Sequence, residues 1–336
     1  MLRKIHLHGI AALALAFGLV ACNSGIQTES STNTQQASTV ADQGNNTSPG
    51  ASNRPLVVAT NTVACGITRE IAAESVDLKC LIEPGADPHE YQPKPEDSKA
   101  IEKASLVLYG GYNFEPGLIK LIQASSNKAP KVAINELAVP KPQQFDEDGK
   151  TVTDPHVWHN AQNGIAIAKV VSEHLGKLSP SNASTYNANA QKFTAEVGQI
   201  DSWIKSQIAT IPPQARKLVT THDAFGYYSK AYSLPIEGAL QGISTDEAPT
   251  PTRVAALTKE IKKSIVPTIF AEKTTNPKLI EQVAKEAKVK VADQELFADG
   301  LGEKGSEGDT YPKMLIANTR TIVQGLGGKY TEFQAK

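Results

Sequence analysis

The sequence predicts an α/β protein of two (βα)4-like lobes with parallel sheets, joined by one long rigid helix, with a ligand cleft between them. Three observations predict it. Short apolar runs alternate with helical segments from Pro55 to about Leu178, and the same alternation restarts at Lys217. Between the two lies the strongest helical pattern of the chain. Continuous apolar strands separated by helices signal a parallel sheet covered on both faces.

In the first lobe, Leu56-Val57-Val58-Ala59 reads as a strand and Val63 to Ala73 as a helix. Leu78 to Ile82 is the next strand and leads into a Pro-Gly loop. A helix at Pro95–Lys103 feeds the strand Leu106-Val107-Leu108-Tyr109, and Lys131-Val132-Ala133-Ile134 makes a fourth. A helix from about Asn163 to Leu178 closes the lobe. The segment from Ala138 to Thr153 reads as a loop.

Tyr186, Ala190, Phe193, Val197, Ile200, Ile204 and Ile208 recur at spacings of three and four, as one face of a helix requires. Ser181 is a candidate N-cap and Pro212-Pro213 stops the run. At 1.5 Å per residue this helix extends roughly 40 Å, enough to span two lobes. In the second lobe, strands are expected at Lys217–Thr221, Pro235–Leu240, Pro267–Ala271 and Val289–Ala292. Helices are expected at Pro251–Ser264, Pro277–Ala287 and Tyr311–Leu326. The resulting organisation is 54–180 for the first lobe, 181–211 for the linking helix and 212–336 for the second lobe.

The first 53 residues do not read as part of the fold. Met1-Leu2-Arg3-Lys4 is basic and Ile10 to Val20 is apolar, which fits a signal peptide over residues 1–21 and is too short to span a bilayer. Cys22 follows Leu19-Val20-Ala21, an arrangement similar to the bacterial lipobox, in which the thiol carries lipid. The plainer alternative is an ordinary signal peptide with a chance cysteine. Residues 22–53 are rich in Ser, Thr, Asn, Gln and Gly and cannot bury enough surface to offset ordering entropy. They read as a flexible tether with a reach of roughly 30 Å. Anchor, tether and globular body suit a lipoprotein outside the cytoplasm, periplasmic or at the cell surface.

With Cys22 assigned to lipid, Cys65 and Cys80 remain of the three cysteines. In an oxidising compartment the pair is a candidate disulfide, with two buried thiols as the alternative. The charge balance is 34 Lys and Arg against 35 Asp and Glu, with no basic cluster, so nucleic acid is not an expected partner.

Five of the seven histidines lie beyond the leader, and three of them occupy strand-to-loop junctions. The strings are Asp87-Pro88-His89-Glu90-Tyr91, Asp154-Pro155-His156-Val157-Trp158 and Thr221-His222-Asp223-Ala224-Phe225. Imidazoles converging from distant segments suit a transition-metal site. In open α/β sheets ligands bind beyond the carboxyl ends of strands, which places that site in the interlobe cleft.

From Leu56 to Tyr330 the chain resembles the zinc- and manganese-specific solute-binding lipoproteins of bacterial ABC importers. The resemblance is carried by the segment from Ile82 to Pro95, by Asp154-Pro155-His156-Val157-Trp158 and by Thr221-His222-Asp223-Ala224-Phe225-Gly226-Tyr227-Tyr228. Gly242-Ile243-Ser244, Ile269-Phe270-Ala271-Glu272 and Phe297-Ala298-Asp299 complete it. It implies four metal ligands, His89 and His156 from the first lobe and His222 and Asp299 from the second, and a cargo of one divalent transition metal. It also implies no enzymatic activity and a partner permease in the cytoplasmic membrane, with the receptor itself a monomer. Manganese-preferring relatives often carry Glu where this chain has His222, which tilts the cargo toward zinc. Against this, the loop at Ala138–Thr153 lacks the histidines of many zinc members and carries Asp146-Glu147-Asp148 instead.

His159 is expected either at the surface or beside the site without being a ligand, and His174 on a helix surface. Asp87, Asp154 and Asp223 are candidates to orient imidazoles, the first two being equally suited to turns before proline, and Glu272 is a candidate support. Gly300-Leu301-Gly302-Glu303-Lys304-Gly305 matches a dinucleotide fingerprint by letters, but no βαβ unit surrounds it. These glycines are expected to let the loop beside Asp299 turn. Two other functions fit a lipoprotein with such histidines: a secreted zinc metallohydrolase, which needs an open coordination position and a base, and a surface adhesin. Chelate or siderophore binding on the same fold would need a larger cleft.

Overall fold

The computed structural model describes residues 54–147 and 149–335. The signal peptide, Cys22 and the tether lie outside the described residues, as does Asp148. No helix among the described residues is long and apolar enough to cross a membrane.

Among the described residues the order opens with β1 (Leu56–Ala59), α1 (Thr62–Ala72) and β2 (Asp77–Cys80), followed by α2 (Pro95–Lys103) and β3 (Leu106–Tyr109). Then come α3 (Pro116–Ala124), β4 (Lys131–Ala133) and α4 (Ile134–Ala138). The strands form one parallel sheet in the order β2-β1-β3-β4. In it Val57 pairs with both Leu78 and Leu106, and Val107 with Lys131. Val57 and Val58 are fully buried on opposite faces, because each face is covered by helices. The helix α1 starts where the Asn61 side chain accepts the Ala64 N–H at 2.9 Å. Its Cys65 is disulfide-bonded to Cys80 at the end of β2, with the Cα atoms 5.7 Å apart.

The segment expected as a loop before the second Asp-Pro-His is instead an antiparallel hairpin, β5 (Gln144–Glu147) and β6 (Lys150–Thr153). The helices α3 and α4 were also not expected. Both are short, and Pro116 at the first turn of α3 serves as a starter where it reads as a breaker in isolation.

After α5 (Ala161–Leu178) and a 3-10 turn at Pro180–Asn182, α6 runs from Ala183 to Ile208. Its 26 residues extend about 39 Å. The stripe read from the sequence is the buried face: Tyr186, Ala190, Phe193, Val197, Ile200, Ile204 and Ile208 are all buried. Ser181 is not the cap, since the 3-10 turn intervenes and the helix begins after Asn182.

The second lobe repeats the plan with β7 (Leu218–Thr220), α7 (Gly226–Tyr232), β8 (Ile236–Ala239), α8 (Pro251–Lys263) and β9 (Thr268–Ile269). It ends with α9 (Lys278–Ala287), β10 (Lys290–Val291) and α10 (Tyr311–Gly325). Parallel pairs β7–β8 and β9–β10 are joined by the Phe270 N–H donating to the Val219 carbonyl at 2.9 Å. The order β8-β7-β9-β10 therefore matches that of the first lobe. The strands β9 and β10 are two residues each, shorter than their apolar runs.

One apolar core runs through both lobes. It holds Val57 and Leu106 under α1 and α5, the buried stripe of α6, Tyr228 of α7, and Met314 and Ile322 of α10. A smaller cluster backs each sheet, one around Ile101 and Leu118, the other around Leu257 and Ile280. On α6, Asp201 accepts hydrogen bonds from Gln162 of α5 (2.9 Å) and Tyr232 of α7 (3.1 Å), so one buried carboxylate ties both lobes to the linking helix.

Candidate metal centre

Each strand string delivers its histidine to the same place. His89 follows the loop after β2, His156 follows β6, and His222 stands two residues beyond β7. Asp299 lies on the loop after β10. All four are buried, and one ligand atom from each lies within 4.8 Å of the others. The Nε2 atoms of His89 and His156 are 3.2 Å apart and those of His156 and His222 are 3.4 Å apart. Asp299 Oδ1 lies 3.6, 3.3 and 3.2 Å from the Nε2 atoms of His89, His156 and His222. A tetrahedron around an ion with bonds of about 2.0–2.1 Å has edges of about 3.3–3.4 Å. The four atoms are thus spaced as the corners of one small coordination sphere.

The proton positions agree with that reading. His156 Nδ1–H donates to Asp154 Oδ1 at 2.9 Å, and the same oxygen accepts the His156 backbone N–H at 2.9 Å. His222 Nδ1–H donates to Glu272 Oε2 at 2.5 Å, while Glu272 Oε1 accepts the backbone N–H groups of Thr221 and His222 at 3.1 and 3.2 Å. A carboxylate can only accept, so each ring keeps its proton on Nδ1 and aims an Nε2 lone pair at the centre. Asp299 Oδ2 accepts from the Thr274 hydroxyl at 2.8 Å, which turns Oδ1 toward the imidazoles. Oδ1 is buried and no protein donor is aligned to it. A buried carboxylate oxygen and three imidazole Nε2 atoms converging in this way call for a cation or protons between them.

The electrostatics carry the same message. Burial alone would raise the Asp299 carboxyl, but the facing His222, His156 and His89 rings outweigh it and hold it well below the usual carboxylate range. Burial would likewise favour neutral His222, yet Asp299 and Glu272 raise it well above the ordinary histidine value. His156 follows the same pattern, with burial opposed by Asp154 and Asp299 and a net rise. The carboxylate therefore favours positive charge on the facing His156 and His222 rings, the charge that a cation in the same place would supply.

Of the three aspartates considered for orienting imidazoles, only Asp154 holds a ring. Asp87 Oδ1 accepts the His89 backbone N–H at 2.9 Å, and its Oδ2 accepts the hydroxyl of Thr245 from the second lobe at 2.6 Å. Asp223 faces Arg253 at 3.7 Å, and the carboxylate on the His222 ring is Glu272. His174 lies on α5, bonded to the Val170 carbonyl within its own helix. His159 is fully buried beside the cluster rather than at the surface, its Nε2–H donating to the Ala298 carbonyl at 2.8 Å. Two further residues at the cluster are not foreshadowed in the sequence: Phe114, whose ring meets His89 and His156 edge-on at 5.1 and 5.8 Å, and Thr274. No motif marks either, because each acts on a residue 25 or more positions away.

The glycine-rich string is an irregular loop. A Cβ at Gly300 would stand 2.3 Å from Thr62 Oγ1, and that oxygen accepts the Leu301 N–H at 2.8 Å. Close approach to the first lobe requires glycine there. A cavity of about 420 Å3 is lined by His89 together with Asn113, Thr153, Pro155, Ser244 and Asp246.

Residues 57–325 match the family described as zinc-uptake complex component A, periplasmic. The chain belongs to this family. It is 33% identical over 325 residues to the metal ABC transporter substrate-binding lipoprotein ScbA of Streptococcus cristatus, covering 94% of this chain and 97% of that one. Identity to the manganese ABC transporter substrate-binding lipoprotein PsaA of Streptococcus pneumoniae is 33% over 277 residues, 80% of this chain and 88% of that one. The structure is similar to that of the periplasmic zinc-binding protein TroA from Treponema pallidum, with a TM-score of 0.77 and 31% identity over 81% of this chain and 99% of that one. Proteins of this family are solute-binding components of ABC metal importers; they carry cargo and catalyse no reaction.

Proposed function

We propose that this chain is the lipid-anchored, extracytoplasmic receptor of a bacterial ABC importer. It captures a single divalent transition-metal ion and delivers it to the permease in the cytoplasmic membrane. The observation that carries the reading is the buried set of three Nε2 atoms and one carboxylate oxygen at coordination spacing. His89, His156, His222 and Asp299 are assigned as the ligands, with Asp154 and Glu272 fixing two of the rings and Thr274 fixing the carboxylate. Four protein donors leave no open position for a zinc-bound water, which speaks against a metallohydrolase.

Zinc is the proposed cargo in preference to manganese. Three nitrogen donors and near-tetrahedral spacing suit zinc, while manganese favours more numerous oxygen ligands. The relatives include receptors named for each metal, so this rests on the donor set. The same reading assigns residues 1–21 to the signal peptide, Cys22 to lipid and 22–53 to the tether. It divides the body into lobes 54–180 and 212–336 joined through 181–211, acting as a monomer.

Elemental analysis of protein stripped of metal and then reloaded with zinc or manganese tests the proposal. One ion per chain is expected, with loss on His222→Ala or Asp299→Ala and tighter retention of zinc in competition. Correctly folded protein that takes up neither ion would sink it.

A further inference from the structure

His159 stands at the meeting point of three of the four ligand segments. It lies three residues beyond His156 in the 3-10 turn Val157–His159. Its Nε2–H donates to the carbonyl of Ala298, the residue before Asp299, at 2.8 Å. Its ring stacks on Phe225, three residues beyond His222, with centroids 4.3 Å apart at 28°. The Trp158 indole N–H reaches the same Ala298 carbonyl at 3.3 Å, and the Trp158 carbonyl is held by the Tyr311 hydroxyl at 2.6 Å.

The chemistry of this histidine is unlike that of the cluster. Burial drives it down to about 3, so the ring is neutral and the proton sits on the nitrogen facing Ala298. Its Nδ1 is buried with no hydrogen-bond partner. Such an atom carries a desolvation penalty that a leucine or phenylalanine in the same space would avoid. What an apolar residue could not supply is the N–H on Ala298. With Thr62 accepting the Leu301 N–H on the other flank, the Asp299 loop is fastened to first-lobe side chains on both sides of the ligand.

We propose that His159 is a positioning residue for metal capture, holding the Ala298 carbonyl so that the Asp299 carboxylate stays in register with the histidine rings. The inference rests on the ligand assignment above. It implies that the backbone flanking Asp299 is tied to the first lobe while Thr274 ties its carboxylate to the second.

Two substitutions separate the hydrogen bond from the packing. His159→Phe keeps an aromatic ring on Phe225 and removes the donor; His159→Gln removes the ring and keeps an N–H donor. Zinc and manganese affinities are measured by chelator competition on the folded chain, together with the melting temperature of the metal-free protein. The expected result is a loss of about tenfold in affinity for His159→Phe, larger for manganese than for zinc because the carboxylate matters more to the harder ion. His159→Gln should recover most of it even if its melting temperature is lower. His159→Leu serves as the donor-free variant should the phenylalanine protein not fold. Affinities that follow melting temperature rather than the donor would overturn the inference, as would complete loss of stoichiometry in His159→Gln, which would make the ring a ligand. Wild-type protein that binds neither metal would defeat the receptor reading itself, a separate outcome.

Discussion

Replacing Glu272 by glutamine changes one oxygen to an NH2 group and tests how the site sets its proton positions. Glu272 is fully buried and makes three contacts: the His222 Nδ1–H at 2.5 Å and the N–H groups of Thr221 and His222 at 3.1 and 3.2 Å. A glutamine that keeps its oxygen on the two backbone N–H groups must point its NH2 at Nδ1. That donor forces Nδ1 to accept, which moves the ring proton to Nε2, the atom facing Asp299 at 3.2 Å. A protonated Nε2 cannot coordinate. The alternative amide orientation restores the ring contact and sets the NH2 against two backbone donors. Either way metal affinity should fall about 10–100-fold, or about 1.4–2.7 kcal/mol, the range for a carboxylate supporting a ligating histidine. Glu272→Ala differs in kind: it orphans two buried N–H groups at about 1–3 kcal/mol each, so it should unfold more readily even without metal. Chelator competition on the glutamine variant and urea denaturation of the alanine variant measure the two effects. Wild-type affinity in Glu272→Gln would refute the proton assignment for His222.

Metal affinity should fall as the solution is acidified, and the fall should begin above pH 6.5. His222 in the metal-free protein is raised, so protons already compete there, and potentiometry should register protons released on zinc binding. Asp201→Ala removes the carboxylate shared by Gln162 and Tyr232 and should lower global stability by about 2–3 kcal/mol, read as a shifted urea midpoint. An unchanged midpoint would mean that the tie between α5, α6 and α7 is made by packing alone. Reducing the Cys65–Cys80 bridge, which spans 15 positions, should cost about 3 kcal/mol and lower the melting temperature.

The elements legible in the sequence were those whose pattern is complete within themselves. The stripe on α6 and the apolar runs of β1 and β3 emerge at the expected residues, because period and burial coincide there. The strands β9 and β10 shrink to two residues because pairing, not hydrophobicity, sets their length. The hairpin at Gln144–Thr153 carries no strong alternation, and α7 begins at a glycine without a capping side chain. At the site, the histidines announced themselves through Asp-Pro-His strings and their places after strands. Their supports did not. Glu272 could be suspected only from its position after β9, and the Thr245–Asp87 and His159–Ala298 bonds join residues more than 130 positions apart. Only the fold brings such pairs together, and a single sequence holds no periodic trace of them.

The continuous core gives the two lobes a shared thermodynamic fate. With α1, α5, α6, α7 and α10 contributing to one buried cluster, neither half can lose its packing while the other keeps it. Denaturation should therefore proceed as one cooperative transition across the body. An ion held only by the native state then stabilises every part of it, by an amount that grows with the logarithm of its concentration over its dissociation constant. The midpoint of a single melting curve becomes a direct ranking of candidate cargoes.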